Sequence, residues 1–259
     1  MKTRKFRWLI ELMLFVFFTA SLSAVIGDST PLSELGASDQ ATVDTLTVLL
    51  DRANRSTWAS YGPFTAERIL LNRASGMIEQ IENDEAREYM LARYNYILGH
   101  IELLDENKKE SRELLAMAME CAEKSLEYRE TAEAWRVRAD AGSLWMVSKG
   151  LGAIIRTAPM VQEWSVRAME MDPQNAQAIV INAHGLINAP RSMGGRPEEG
   201  LQLLVELNKR DDLNEIERFR TLVALSMAHQ KLRNKEEARR FCNLAQEIFP
   251  ENPVLEICP

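Results

Sequence analysis

The residues best able to do chemistry in this chain of 259 are few and scattered: three histidines, three cysteines and one glycine pair flanked by arginines. His100, His184 and His229 lie far apart in sequence, and metal ligation would require at least two of them to converge with a carboxylate. Structural histidines are therefore expected, with no metal or other cofactor. Cys121, Cys242 and Cys258 make an odd, widely spaced count, which argues against a disulfide framework. Cys242 and Cys258 could bridge if the C-terminal tail folds back, but buried free thiols are the simpler expectation. Within "NAPRSMGGRPEEG", residues 188–200, Gly194 and Gly195 could shape an anion-binding nest ahead of a helix, with Arg191 and Arg196 on either side. Glycine is equally what a tight interhelix turn requires. The chain contains no HExxH, GxSxG, GxxxxGKS/T or CxxC, so the usual zinc, hydrolase, nucleotide and redox arrangements lack their residues. A non-catalytic protein is expected.

The elements that must position these residues read as helices. No proline occurs between Pro63 and Pro159, and Ala, Leu, Glu, Arg, Lys and Met dominate the stretch; these are the strong helix formers. Proline and glycine collect at boundaries instead, in "YGP", "TAP", "DP", the 188–200 insert and "FPENP". Alternating runs of Val, Ile and Thr are missing, so strands are not expected. The C-terminal "TLVALSMAHQKLRNKEEARRFCNLAQEIFPENP" reads as helix, turn, helix and proline stop. Asn234 is placed to cap the second helix, and Glu237 stands where a capping box wants its acid.

That unit resembles the tetratricopeptide repeat, whose pattern is W-x2-L-G-x2-Y, then A-x3-F, then P. It recurs in "LARYNYILGHIELL" with "LLAMAMECAEKSLEY", in "AEAWRVRADAGSLW" with "VQEWSVRAMEMDP", and in "NAQAIVINAHGLINAP" with "EEGLQLLVEL". The close-contact positions are then Gly99, Ala139, Ala183 and Ser226, small because the two helices of a pair cross there. Their separations are 40, 44 and 43 residues, longer than the standard unit of about 34. The extra length is assigned to loops, near "LDENKKESR", in "SKGLGAIIRTAP" and in the insert, with Pro197 opening the helix that follows. The expected fold is all-α, a tetratricopeptide-like solenoid of stacked antiparallel helix pairs. Residues 85–259 would form about four pairs, and residues 28–84 two or three capping helices.

The resemblance implies that the first helix of each pair lines a concave groove. The residues following the small contacts would point into it: His100, Asp140, His184 and Met227, with Tyr96, Arg136, Val180 and Val223 one turn earlier. Two readings fit. The groove binds an extended peptide or a small ligand, or the N-terminal helices fill it and these side chains are lining. Met117, Met119, Met169 and Met171 are expected in the core, and Trp145 and Trp164 to pack rather than line a channel. The insert, with "YRETAEAWRVRADAGSLW" and "SVRAMEMDPQNAQAIVINA", is similar to bacterial extracytoplasmic tetratricopeptide proteins, among them the T component of TRAP-type transporters. That likeness implies a periplasmic solute-binding protein as partner, with Pro190, Arg191, Gly194, Gly195 and Arg196 as interface candidates. A cell-envelope scaffold for peptides or protein tails, and a carrier of a small hydrophobic ligand, are the alternatives; a homo-oligomer is left open.

Composition bounds the partners further. The chain is 46% hydrophobic and 27% charged, an ordinary globular balance. Four basic residues in "MKTRKFRW" precede the apolar "LMLFVFFTASLSAVIG", the pattern of a secretory signal over residues 1–27, with cleavage after Ser23 or Gly27. An uncleaved inner-membrane anchor is the alternative, disfavoured because the uncharged run from Leu12 to Ile26 falls short of the ~20 residues of a spanning helix. No Cys lies near the cleavage region, so a lipoprotein is not expected and the periplasm is the expected location. The net charge is −7, and losing the signal would make it −10. Such acidity disfavours nucleic acid, whose phosphates demand many Lys and Arg.

Overall fold

The computed structural model describes residues 35–258, so the signal segment assigned to residues 1–27 lies outside the described residues. Among the described residues ten α-helices follow one another: α1 (Ala37–Ala59), α2 (Thr65–Ile78), α3 (Asp84–Leu104), α4 (Lys108–Tyr128), α5 (Ala132–Lys149), α6 (Leu151–Met171), α7 (Ala176–Asn188), α8 (Pro197–Asn208), α9 (Glu215–Lys231) and α10 (Lys235–Ile248). Short 3-10 turns occupy Arg191–Met193 and Pro253–Ile257. No strand occurs among the described residues, and no helix there is long and apolar enough to cross a membrane.

Helix starts are written locally. Asn83, Thr131, Asn175, Asn214 and Asn234 each accept a hydrogen bond from a first-turn backbone N–H, relieving one of the donors a helix start leaves unpaired. The complete capping box is at Asn214 and Glu217. At Asn234 the side chain caps as expected, but Glu237 turns to Arg240.

Each helix packs on its chain neighbour, giving the pairs α1/α2, α3/α4, α5/α6, α7/α8 and α9/α10. In α3/α4, Ser111 Oγ donates to the Gly99 carbonyl at 2.8 Å and Ser125 Oγ to the Glu85 carbonyl at 3.3 Å. The start of α4 therefore meets the end of α3, and the pair is antiparallel. Small residues set the crossings. A Cβ on Gly99 would lie 2.8 Å from Leu115, and one on Gly200 would lie 2.9 Å from the Ala183 carbonyl. In α9/α10, Ser226 Oγ donates to the Ala238 carbonyl at 2.7 Å. At α5/α6 Gly142, one turn beyond Ala139, packs closely against Val161 and Trp164. The fold is an all-α, tetratricopeptide-like stack of helix pairs.

The surplus length of the repeats does not lie where the sequence suggested. "SKGLGAIIRTAP" is broken only at Gly150 (φ 91°), and α6 runs on through Pro159. Pro159 forgoes its bond to the carbonyl of Ile155, a half-exposed residue, while Ile154, Val161 and Trp164 bury the other face. Near "LDENKKESR" only residues 105–107 leave the helices. The surplus lengthens the helices themselves: α3, α4 and α6 each have 21 residues. Of the three segments the insert alone holds a longer loop, residues 189–196.

The stack closes on itself. Arg55 of α1 pairs with Glu215 of α9, and Asn252, after α10, donates from Nδ2 to the Trp58 carbonyl at 2.6 Å. Cys242 and Cys258 form a disulfide, Cα atoms 5.9 Å apart, that ties the C-terminal turn to α10. This corrects the expectation of free thiols: the tail does fold back, held by its asparagine cap and by the packing of Val254 and Ile257. Cys121 is the free cysteine among the described residues, its thiol pushed up to about 12 by burial and by Glu88.

Candidate functional site

A helix repeats its face every three to four residues, so residues one turn apart on α3, α5, α7 and α9 reach the same inner surface. There the structure places a cavity of about 410 Å³, within the roughly 300–1,000 Å³ typical of small-ligand sites. Tyr96 and His100 from α3, Asp140 from α5, His184 from α7 and Met227 from α9 all line it. Arg136 stands behind Asp140 rather than in the wall. The first helices do not do this alone. Ile154, Ala158, Val161 and Gln162 of α6 form one side, Trp58 of α1 another, and Pro253, Val254 and Ile257 of the tail a third. The N-terminal helix thus enters the concave face, and a cavity is left beside it.

One end of the cavity is polar and closely paired. Asp140, 2% exposed, accepts from Arg220 Nη2 at 2.7 Å and from Arg136 Nη1 at 3.0 Å. Arg220 Nη1 donates to Gln177 at 2.6 Å, and Arg136 donates twice to Glu133, which also takes a bond from Asn175 at 2.7 Å. Burial works against both guanidinium charges, yet the facing carboxylates outweigh it and raise both pKa values. Burial would likewise raise Glu133, but Arg136 and Asn175 bring it down to about 2. Asp140 and the two arginines are thus paired, as buried charges are, with the half-exposed Glu133 balancing Arg136 from the solvent side.

Beside this network the histidines are kept neutral. Burial, reinforced by Arg220, lowers His100 and His184 to about 4 each. Burial also raises Tyr96 above its usual phenol range. His100 lies 4.9 Å from Trp58, ring centre to ring centre, and 6.3 Å from Tyr96; Phe219 sits behind Trp58 at 6.1 Å. The Arg220 guanidinium rests over the Trp58 ring at 5.5 Å. His100 is 6% exposed, and its Nδ1 is buried without a hydrogen-bond partner. His229 is elsewhere, stacked on Phe241. Among the described residues no group of three or more His, Cys, Asp or Glu could hold a metal ion.

Of the insert, Asn188 lines the cavity, but the interface candidates Pro190, Arg191, Gly194, Gly195 and Arg196 do not. Pro190 leads into the 3-10 turn, Gly194 adopts φ 87° and Gly195 is packed so closely on the Ala189 carbonyl that no Cβ fits. The N–H groups of Gly194, Gly195 and Arg196 donate to Arg191, Pro190 and Leu186 carbonyls, so the glycine pair's own N–H groups are already taken. Arg191 and Arg196 are exposed and pair with Glu198 and Glu199. Trp145 and Trp164 pack under Lys149 and Arg138. Met119 and Met169 pack against cores, whereas Met117 is 48% exposed, contrary to expectation.

Sequence reasoning missed Arg220, Trp58, the α6 residues and the tail. Arg220 was within reach, since 220, 223 and 227 share one face of α9.

Fold and cavity define an architecture, a stack of antiparallel helix pairs with a cavity on its inner face. A scan against protein-family models finds no match, and neither does a search of curated proteins. Among solved structures the chain is similar to that of YrrB, described as a TPR protein with an unusual peptide-binding site. The match has 14% identity and a TM-score of 0.38 over 85% of this chain and 96% of that one. A likeness at that level says nothing of what this chain binds.

Proposed function

We propose that this protein is a non-catalytic binding protein that holds a small, mainly apolar molecule inside its closed helical stack. The observation that carries the reading is the cavity itself: apolar walls from α5, α6, α7, α9 and the tail, with a few convergent polar groups at one end, the usual composition of a small-ligand site. An extended peptide would need an open groove, and α1 and the tail cross it. Binding rather than catalysis is supported by the state of the polar groups. Asp140 is doubly paired, and the hydroxyl of Ser143 donates to the Ala139 carbonyl one turn back. The test is titration with an environment-sensitive apolar dye. An Ala158→Trp variant, which fills the space from α6, is expected to lose dye binding while keeping its melting temperature; unchanged dye binding would place the dye elsewhere and count against the cavity.

Export to the periplasm is part of this proposal. The Cys242–Cys258 bridge supports it, because such bonds persist in oxidising compartments. The finer reading is a T-component-like accessory of a periplasmic solute-binding protein, exchanging the apolar molecule with it. Leu151 and Ile155, exposed one turn apart on α6 beside wall residues Ile154 and Ala158, favour a protein partner at that side; Arg191 and Arg196 offer a second contact. Pull-down from periplasmic extract should recover a solute-binding protein with the wild type and less with Leu151→Glu/Ile155→Glu. Recovery of none under gentle conditions sinks the partnership and leaves the ligand reading standing.

A further inference from the structure

We propose that the cavity takes an apolar molecule by an uncharged group that both donates and accepts hydrogen bonds, a carboxamide being the fullest match, and that His184 and Asn188 on α7 hold it. This rests on the reading of the cavity as an apolar-ligand site. Ile181, His184, Gly185 and Asn188 line the cavity from one face of α7, at the spacing of successive turns. His184 and Asn188 are both partly exposed, and among the described residues neither side chain has a hydrogen-bond partner. Their polar atoms are not sealed inside the protein, as Nδ1 of His100 is, so they open on the space they line.

Each of the two is a neutral donor and acceptor. Burial, and after it the charge of Arg220, keeps the His184 imidazole unprotonated at ordinary pH, with a hydrogen on one ring nitrogen and a lone pair on the other. The Asn188 carboxamide carries an NH2 group and a carbonyl oxygen. Between them Gly185 has no side chain, and the Gln162 carboxamide lies where a Cβ would stand. Gln162 donates to Asn182, which fixes a third neutral polar group in the same patch. Charge is disfavoured from both sides. Arg220 repels a cation at His184, and its terminal nitrogens are engaged by Gln177 and Asp140 rather than by a ligand. Asn188 is the last residue of α7, where the unpaired carbonyls form the negative end of the helix dipole and disfavour an anion. A carboxamide meets both conditions, its N–H2 toward the carbonyl-rich end at Asn188 and its oxygen toward His184, leaving Ile154, Val161 and Val223 for the apolar body.

The experiment sets octanamide against octanoate and octylammonium, one chain length with three head groups, on the full chain at pH 7.5, by calorimetry and by displacement of the apolar dye. Octanamide is expected to bind at least about tenfold more tightly than either ion, because of the cost of burying an unpaired charge. His184→Phe and Asn188→Leu should each weaken octanamide about three- to tenfold more than they weaken the dye, the worth of one neutral hydrogen bond. His184→Gln, which keeps a donor and an acceptor, should recover most of that loss. Octanoate or octylammonium binding as tightly as octanamide overturns the proposal while the apolar-ligand reading survives. So does an octanamide affinity that falls no further than the dye's in either His184→Phe or Asn188→Leu, which takes the head group away from α7. Failure of all three, and of the dye, to bind would instead sink the apolar-ligand reading and this proposal with it.

Discussion

The guanidinium of Arg220 on α9 meets the carboxylate of Asp140 on α5 at 2.7 Å across 80 residues of chain, and Arg136 holds the same carboxylate from the other side. The three side chains form a buried strut between two non-adjacent helix pairs. Their removal is not symmetrical. Asp140→Ala leaves the buried Arg220 guanidinium without a carboxylate and Arg136 with Glu133 alone, whereas Arg220→Ala leaves Asp140 still paired with Arg136. Breaking a buried pair costs about 3–5 kcal/mol, so Asp140→Ala should lose stability at the upper end of that range and Arg220→Ala less. Urea unfolding of the two variants checks the order; the reverse order would mean that Arg136 does not share the load.

Acid should loosen the protein in two stages. His100 and His184 have folded pKa values of about 4 against an ordinary 6.5. The unfolded chain therefore takes up their protons first, and stability present above pH 6.5 is lost as pH falls through that window. At roughly 1.4 kcal/mol per pKa unit, His100 alone accounts for about 3 kcal/mol. Glu133, held at about 2 against 4.5, contributes stability present above 4.5 and lost below it. Urea midpoints at pH 7, 5.5 and 4.5 should fall steadily, and His100→Phe should flatten the upper part of the curve.

What the sequence made legible was local. The face shared by Tyr96 and His100, or by Val223 and Met227, follows from helical periodicity, and so do the small contacts at Gly99 and Ala183. What it hid depends on how the stack closes. Trp58 meets Asn252 across 194 residues, and no periodic signal announces that pairing. The Cys242–Cys258 bridge was obscured for the same reason, because it needs the tail to turn back on α10. At α6 the local signal pointed the wrong way. Gly150, Gly152 and Pro159 read as a loop, but the apolar face of Ile154, Val161 and Trp164 outweighed them once α5 was there to receive it.

The glycines should sort into two kinds. A Cβ at Gly200 would lie 2.9 Å from the backbone oxygen of Ala183 and 2.7 Å from Ile187, and backbone cannot move aside cheaply. Gly200→Ala should destabilise by about 1–3 kcal/mol, as overpacking does. Gly76, inside α2, has nothing within 4 Å of that position; Gly76→Ala should stabilise by about 0.5–1 kcal/mol through helix propensity alone. Thermal melts of the two variants moving in the same direction would contradict the crossing assigned to α7 and α8.

The disulfide should govern both stability and the cavity, because the segment it tethers supplies Pro253, Val254 and Ile257 to the wall and the Asn252 bond to Trp58. Its ends are 16 residues apart, a loop for which chain entropy gives about 3 kcal/mol. Reduction, or Cys258→Ser, should lower the unfolding free energy by an amount of that order. The cavity should suffer more than the fold. The helix pairs keep their own contacts when the tail leaves, but one wall of the cavity goes with it, so apolar dye should bind more weakly and dissociate faster. Amide exchange would show the loss confined to residues 249–258 and the end of α1. Exchange rising evenly over all ten helices, with dye affinity unchanged, would mean that the tail is a strap on the outside and no part of the site.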